Sequence, residues 1–264
     1  MTNEDHPRDT FPRGMAQPES GFRFSVDALL LACFASRFSK SPKPLFVLDL
    51  GAGCGVVGLG WLLREKGSHS LLGVDIDQEM TGLAQINAKS LGLEQQCHWL
   101  TQDIRRIRDA TSIHPESFSL ALANPPYWQP GHGREPQEAA TRQARFETSA
   151  SLEDFLAAAF YALNNRASLC LVYDAERMAD LTVALRNERL EPKRMRLVHS
   201  RNNQTATLVL VEAMKNGKPG CRIEPPLALY EGLGKKTRLT AQALDFCPFL
   251  ACNPGPGAAL SPPD

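Results

Sequence analysis

No stretch of the 264-residue chain comes near the run of about 18 apolar residues that spans a bilayer, and the opening MTNEDHPRDTFPRGMAQPES is too polar for a secretory signal. The expectation is a cytoplasmic protein without a membrane partner. There is no C-x-x-C pair among the seven cysteines, which excludes the usual zinc and redox-dithiol patterns. Their settings, such as LACFA and SLCLV, read as reduced and mostly buried thiols, and no metal is expected. Neither sign of charge is in excess, with 29 Lys and Arg against 29 Asp and Glu, so a polyanionic partner would have to be met by local patches. Internal repeats are missing too. What is present is a composition that is 43% apolar, enough to fill a real core.

Both ends, residues 1–20 and 251–264, are rich in Pro, Gly and polar residues and are expected to be flexible, leaving one domain over 21–250. Within it short apolar runs alternate with segments of helical periodicity. LFVLDL (45–50), SLLGVD (70–75), QCHWLT (96–101), FSLALA (118–123) and ASLCLVY (167–173) read as strands. Helices are predicted over 56–66, 78–93, 151–164 and 175–188. The last strands, RMRLVHS (194–200) and TATLVLVEA (205–213), are separated by a short RNNQ turn. The pattern predicts an α/β fold, a mostly parallel seven-stranded Rossmann-like sheet with an antiparallel edge hairpin.

At the end of the first strand stands DLGAGCGVVGL (49–59). Gly51, Gly53 and Gly55 permit a tight turn and close approach of a ligand just before a helix N-terminus. Twenty residues past Gly55, Asp75 ends the second strand beside Ile76, where a carboxylate can accept both hydroxyls of a ribose; helix capping suits Asp77 better. Asp103 and Ile104 end the third strand and suit an adenine amine and its ring face, the alternative for Asp103 being a solvated loop carboxylate. The loop lacks the lysine of a phosphate-binding loop, and Asp49 places a negative charge at the strand end. That favours a cationic ligand over a pyrophosphate. The inference is S-adenosylmethionine, with its ammonium, sulfonium, ribose and adenine.

The fourth strand runs into ALANPPYWQP (121–130). Each proline biases the residue before it toward extended backbone, so Asn124 and Pro125 are held rigidly, with Pro126 behind them. The side-chain oxygen of Asn124 and the carbonyl of Pro125 can accept the two hydrogens of one planar amine, and Tyr127 offers a flat face for its ring. The bland alternative is a rigid turn. Trp128 serves two readings, either stacking beside a turned-out base or walling the cofactor pocket.

In this order the glycine loop, Asp75, Asp103 and NPPY resemble class I methyltransferases that act on planar amides or amines. With GFRFSVDALLLACFA (21–35), NPPYW followed by ATRQARFETSASLEDFLAAA (140–159), RMRLVHS and PPLALY, the likeness narrows to the bacterial transfer-RNA (adenine-N6) methyltransferases that modify adenosine 37 of a valine transfer RNA. It spans about residues 21–232. The resemblance implies that Gly51, Gly53 and Gly55 lie against the methionine part of the cofactor, Asp75 binds its ribose and Asp103 its adenine. It also implies that Asn124, Pro125, Pro126 and Tyr127 hold the target base, and that Phe24 and Asp27 cover the cofactor. Read from the residues alone, Phe24 is equally a core aromatic and Asp27 an N-cap. After LALYEG, where the family leads one to expect an acidic or aromatic stretch, this chain has LGKKTRLTAQALDFCPFLACNPGPG.

RNA as partner asks for cations around the pocket. Arg134, Arg142 and Arg145 lie in the loop after NPPYW. Lys193, Arg194, Arg196, His199 and Arg201 form a second group without an acid among them, and Lys235, Lys236 and Arg238 a third. The rival reading is a protein glutamine N5-methyltransferase of the release-factor type, whose amide presents the same two hydrogens. Such enzymes carry a helical domain ahead of the glycine loop, and 44 residues precede the first strand here. A DNA adenine methyltransferase would add a base-reading domain, and a mere nucleotide-binding scaffold would need neither NPPY nor Asp75.

Overall fold

The computed structural model describes residues 6–19, 24–36, 44–65, 67–126 and 150–252. Helix α1 (Val26–Ser36) precedes the sheet, and the chain then alternates: β1 (Phe46–Leu50), α2 (Val56–Arg64), β2 (Ser70–Asp75), α3 (Gln78–Ser90), β3 (Cys97–Thr101) and β4 (Phe118–Ala123). The second half contributes α4 (Leu152–Ala162), β5 (Leu163–Asp174), α5 (Met178–Asn187), β6 (Leu190–His199) and β7 (Ala206–Lys215). Strand order is β3-β2-β1-β4-β5-β7-β6. Strands β1 to β5 run parallel, whereas β7 is antiparallel to both β5 and β6. The hairpin is therefore folded so that its second strand enters the sheet first. Its outer strand is not bare, because two short segments, β8 (Arg222–Ile223) and β9 (Leu227–Ala228), pair parallel to β6 and extend the sheet to nine strands.

The inner strands β1 and β4 and the second half of β5 are buried on both faces, which is why they read as continuous apolar runs, whereas edge strand β3 is only partly covered. One core lies between the sheet and helices α1, α2 and α3, with Val47, Leu71, Leu120, Cys170 and Leu210 beneath Leu29, Phe34, Leu59 and Trp61. The other is formed by α4 and α5 against Leu48, Leu50, Val74, Ala121 and Leu171. Local signals fix the helix starts. Asp77 caps α3 by accepting from the Glu79 amide at 2.8 Å, and α4 opens with a capping box in which Ser151 and Asp154 satisfy each other's backbone amides.

The N-terminal segment departs from its expected flexibility over residues 6–19. Phe11 and Met15 are buried in the first core, and Arg8 donates to the carbonyls of Leu91 and Gly92 at 2.6 and 2.9 Å. Composition hides this, since a few well-placed anchors hold an otherwise polar strap. Past β9 a hairpin of β10 (Tyr230–Glu231) and β11 (Arg238–Leu239) leads to α6 (Ala241–Phe246), which returns Ala243, Phe246 and Cys247 to the first core. Residues 253–264 lie outside the described residues. No helix of the described residues is long and apolar enough to cross a membrane.

Candidate active site

Register aligns the carboxyl ends of four strands. Leu50 pairs with Val74 on one side and Ala123 on the other, and Asp75 pairs with Thr101, so Gly51, Asp75 and Asn124 stand at one level of adjacent strands. Neighbouring strands are about 4.8 Å apart. Ligands of open α/β sheets bind at this edge.

The three glycines of the loop all have positive φ, yet their missing side chains serve different purposes. A Cβ on Gly51 would lie 3.0 Å from the Phe155 ring of α4, and one on Gly55 would lie 2.8 Å from Trp99 of β3. Those two make room for protein. Gly53, at φ 54°, has nothing within 4 Å of a built Cβ and is the glycine that leaves space at the loop surface. Its amide donates to Asp75 Oδ2 at 2.8 Å, while the Asp77 amide donates to Oδ1 at 3.0 Å. Each carboxylate oxygen keeps acceptor capacity for a hydroxyl. Burial raises the Asp75 carboxyl above its usual value, and the amides of Asp77 and Gly53 pull it back.

Asp49 lies beneath the loop, 1% exposed. Its Oδ2 accepts from the Gly58 amide at 2.9 Å, while Oδ1 is buried with no hydrogen-bond partner. Burial pushes its carboxyl up to about 7, against the Gly58 bond that lowers it and with the charge of Asp75 adding to the rise. An orphaned carboxylate oxygen under a glycine turn is complementary to a cation.

Other expected residues fall differently. Ile76 is half exposed next to Asp75 and offers an apolar face, but Ile104 is buried in the second core. The carboxylate of Asp103 is engaged by Arg105, whose Nε and Nη2 approach it at 2.6 to 3.0 Å, and it also accepts the Arg105 amide. The hydrogen bond and charge of Arg105 hold it below the usual carboxylate range. Phe24 packs half-buried against the first core, and Asp27 sits in the first turn of α1, which lies along α2. Asn124 and Pro126 follow the end of β4 with Pro125 buried between them. Tyr127, Trp128, Arg134, Arg142 and Arg145 lie outside the described residues.

Arg194 and Arg196 correct the expected basic surface. They are 4% and 7% exposed, stacked on the rings of Phe34 and Phe246 at 3.8 and 4.5 Å from the centroids. Arg194 donates to the Phe34 carbonyl at 2.9 Å and pairs with Glu224 at 3.0 Å and with Glu212 at 3.7 Å. Alternate residues of β6 face the first core, and the acids that balance them come from distant β7 and from residue 224, where the sequence around 193–201 could not reveal them. Lys193 is spent on the carbonyls of Lys218 and Gly220. Arg201 clamps the β10–β11 hairpin through the Gly232 carbonyl and the Thr237 hydroxyl.

Two residues of the site escape sequence reasoning. Trp99 covers Gly55 and Gly73, where built Cβ atoms would meet its ring at 2.8 and 2.3 Å. Asn87, 1% exposed, donates to the Cys54 carbonyl inside the glycine loop at 2.9 Å. The signal for Asn87 was a polar residue on the buried stripe of α3, beside Thr81, Ala84 and Ala88.

Residues 26–188 match the model of the methyltransferase small domain. The chain belongs to that family. This methyltransferase is 27% identical over 172 residues to the tRNA1(Val) (adenine(37)-N6)-methyltransferase of Haemophilus influenzae, a match covering 64% of this chain and 69% of that protein. It is 25% identical over 158 residues to the Proteus mirabilis protein of the same name, covering 60% and 59%. For that relative and several others the match spans about three-fifths of their length. Among solved structures, a predicted O-methyltransferase from Agrobacterium tumefaciens superposes with a TM-score of 0.65 at 21% identity, over 84% of this chain and 96% of that one. A putative RNA methyltransferase from Pyrococcus horikoshii superposes with a TM-score of 0.54 at 15% identity, over 77% and 92%. These establish the fold. S-adenosylmethionine is the cofactor of such a methyltransferase, and the open turn at Gly53, the Asp75 carboxylate, the exposed Ile76 and the orphaned oxygen of Asp49 fit its loop contact, ribose, adenine face and charge. Among the described residues no His, Cys, Asp and Glu cluster could hold a metal.

Proposed function

We propose that the protein transfers a methyl group to the N6 amine of an adenine in RNA, with adenosine 37 of a transfer RNA as the target. The observation that carries this reading is the position of Asn124 and Pro125: one step past the Leu50–Ala123 pairing, beside the glycine loop and on the strand next to it. S-adenosylmethionine, when bound, supplies a methyl group already activated on sulfonium. An exocyclic aromatic amine is a weak nucleophile because its lone pair is delocalised. Two acceptors, Asn124 Oδ1 and the Pro125 carbonyl, would draw on its two hydrogens and favour the pyramidal nitrogen needed for attack, and Tyr127 would stack on the ring. Orientation of this kind is worth up to about 7–11 kcal/mol, so no strong base is required. The proton leaves after nitrogen has taken the methyl group and become cationic. The names of the Haemophilus influenzae and Proteus mirabilis relatives support the substrate.

The RNA would be met by cations at the carboxyl edge. With Arg194 and Arg196 buried, this role falls to Lys236 and Arg238 of the hairpin after β9 and to Arg142 and Arg145 of the segment after Trp128. The hairpin continues from β9 on the outer side of β6, four strand spacings and about 19 Å from Asn124, within reach of one nucleic-acid stem.

The test is to incubate the protein with labelled S-adenosylmethionine and total transfer RNA from cells lacking its gene, and to digest the RNA for mass spectrometry. N6-methyladenosine in one transfer RNA is the expected product. Label in a protein fraction instead would transfer the reading to a glutamine amide. The variant Asn124→Ala should lose turnover by at least about 100-fold while binding the cofactor as well as the parent, and an active variant would refute the role of Asn124.

A further inference from the structure

The N-terminal strap and the glycine loop share one side chain. Asn87 spends both hydrogens of its amide on carbonyls, Cys54 at 2.9 Å and Ala16 at 2.9 Å, and its Oδ1 accepts from the Ala16 amide at 2.7 Å. The Asn87 side chain and its bond to Cys54 are buried, and the two bonds to Ala16 are partly so. Only an amide meets that demand, since a carboxylate could not donate and an alkyl chain could do neither. Cys54 lies between Gly53, whose amide is held by Asp75, and Gly55, whose left-handed turn starts α2. The loop is thus gripped from two sides, by Asp75 of β2 and by Asn87 of α3. The strap that completes the Asn87 network is anchored independently, through Arg8 on the end of α3 and through Phe11 against Gly60 of α2 and the Phe249 ring.

We propose that Asn87 is a positioning residue that couples docking of the strap, residues 6–19, to the shape of the cofactor-binding glycine loop, so that each strengthens the other. If the strap leaves, Asn87 loses two of its three bonds and is free to turn away from Cys54. If the loop is ordered by S-adenosylmethionine, Asn87 is fixed in the orientation that the Ala16 backbone needs. Coupling of this sort is reciprocal by thermodynamic necessity, so it can be read from either end. The inference rests on the cofactor assignment.

The experiment uses the full chain. Hydrogen exchange is followed over the loop and the strap with and without S-adenosylmethionine, and the dissociation constant is measured by calorimetry for the parent, Asn87→Ala, Phe11→Ala and Leu185→Ala. Leu185 lies in the second core and controls for destabilisation alone. In the parent, cofactor should slow exchange in both the glycine loop and strap residues 8–16. Asn87→Ala and Phe11→Ala should each weaken cofactor binding by roughly tenfold, and Leu185→Ala by less than about twofold, at a temperature where all are folded. Slowing of the loop alone, or wild-type affinity in Asn87→Ala, would overturn the coupling. Should Asn87→Ala fail to fold, the exchange result on the parent decides. Saturating cofactor that slows neither segment would overturn the cofactor assignment itself.

Discussion

Asp49 carries an unusual electrostatic load for one residue. A carboxyl pushed up to about 7 by burial holds a proton in the folded protein over a pH range where the unfolded chain, at 3.8, has released it. Its contribution to stability is therefore complete below about pH 4 and is lost as pH rises toward 7, a swing of at most about 4 kcal/mol. Replacing Asp49 by Asn removes the ionisation while keeping an acceptor for the Gly58 amide. Thermal melts between pH 4.5 and 8 should show the parent losing stability as pH rises and Asp49→Asn losing markedly less, the two differing most at pH 8. Parallel profiles would mean that Asp49 is not the buried acid described. The sequence showed an acid at the end of the first strand and suggested a cation for it. It could not show that one oxygen is orphaned, because that depends on which amide of the following turn reaches back, and on Asp75 from another strand.

At the scale of elements, α2 and α3 each carry glycines whose removal should act with opposite sign. Helical glycine is about 1 kcal/mol less favourable than alanine, so Gly→Ala normally stabilises. Gly82 of α3 is exposed with nothing within 4 Å of a built Cβ, and Gly82→Ala should raise stability by about 0.5–1 kcal/mol. Gly58 of α2 lies over β1, where a Cβ would stand 2.5 Å from Leu71 Cδ2 and 2.9 Å from Asp49 Oδ2. Gly58→Ala should therefore destabilise by about 1–3 kcal/mol, checked by denaturant midpoints for both variants. Periodicity made these helices legible, and the strands around them followed because short apolar runs alternating with helical segments argue a covered parallel sheet. Three features were not legible. Strand β5 begins at Leu163, four residues before the apolar run: Leu163 pairs with Phe118, and the polar residues Asn164, Asn165 and Arg166 then fall in a register shift before Ser168 resumes pairing opposite Leu120. The covering of β6 by β8 and β9 involves two-residue pairings too short for any pattern. The strap is held by Phe11, Met15, Arg8 and the Ala16 backbone, none of which forms a repeat.

For the whole molecule, the balance of 29 basic and 29 acidic residues conceals two different uses of cations. Arg194 and Arg196 are internal: they tie β6 to the Phe34 carbonyl near the end of α1 and to the ring of Phe246, with Glu212 and Glu224 as counter-charges and Ser168 bonded to Glu212 at 3.0 Å. Arg238 is external, 79% exposed in a surface pair with Glu231 that contributes little to folding, and Lys236 stands on the same hairpin. Removal of one partner from a buried pair leaves an uncompensated charge, so Arg194→Ala should cost about 3–5 kcal/mol of stability. Because Arg194 is out of reach of a phosphate, the salt dependence of RNA binding by the folded variant should match the parent. Joint replacement of Lys236 and Arg238 by Gln should do the reverse, leaving the melting temperature within a few degrees and lowering the slope of log affinity against log salt by about 1–2. Filter binding of transfer RNA at several salt concentrations, with melts on the same samples, separates the two. A loss of salt dependence in Arg194→Ala would return that residue to the proposed RNA surface, and an unchanged slope in the Lys236 and Arg238 variant would refute the hairpin as an RNA contact.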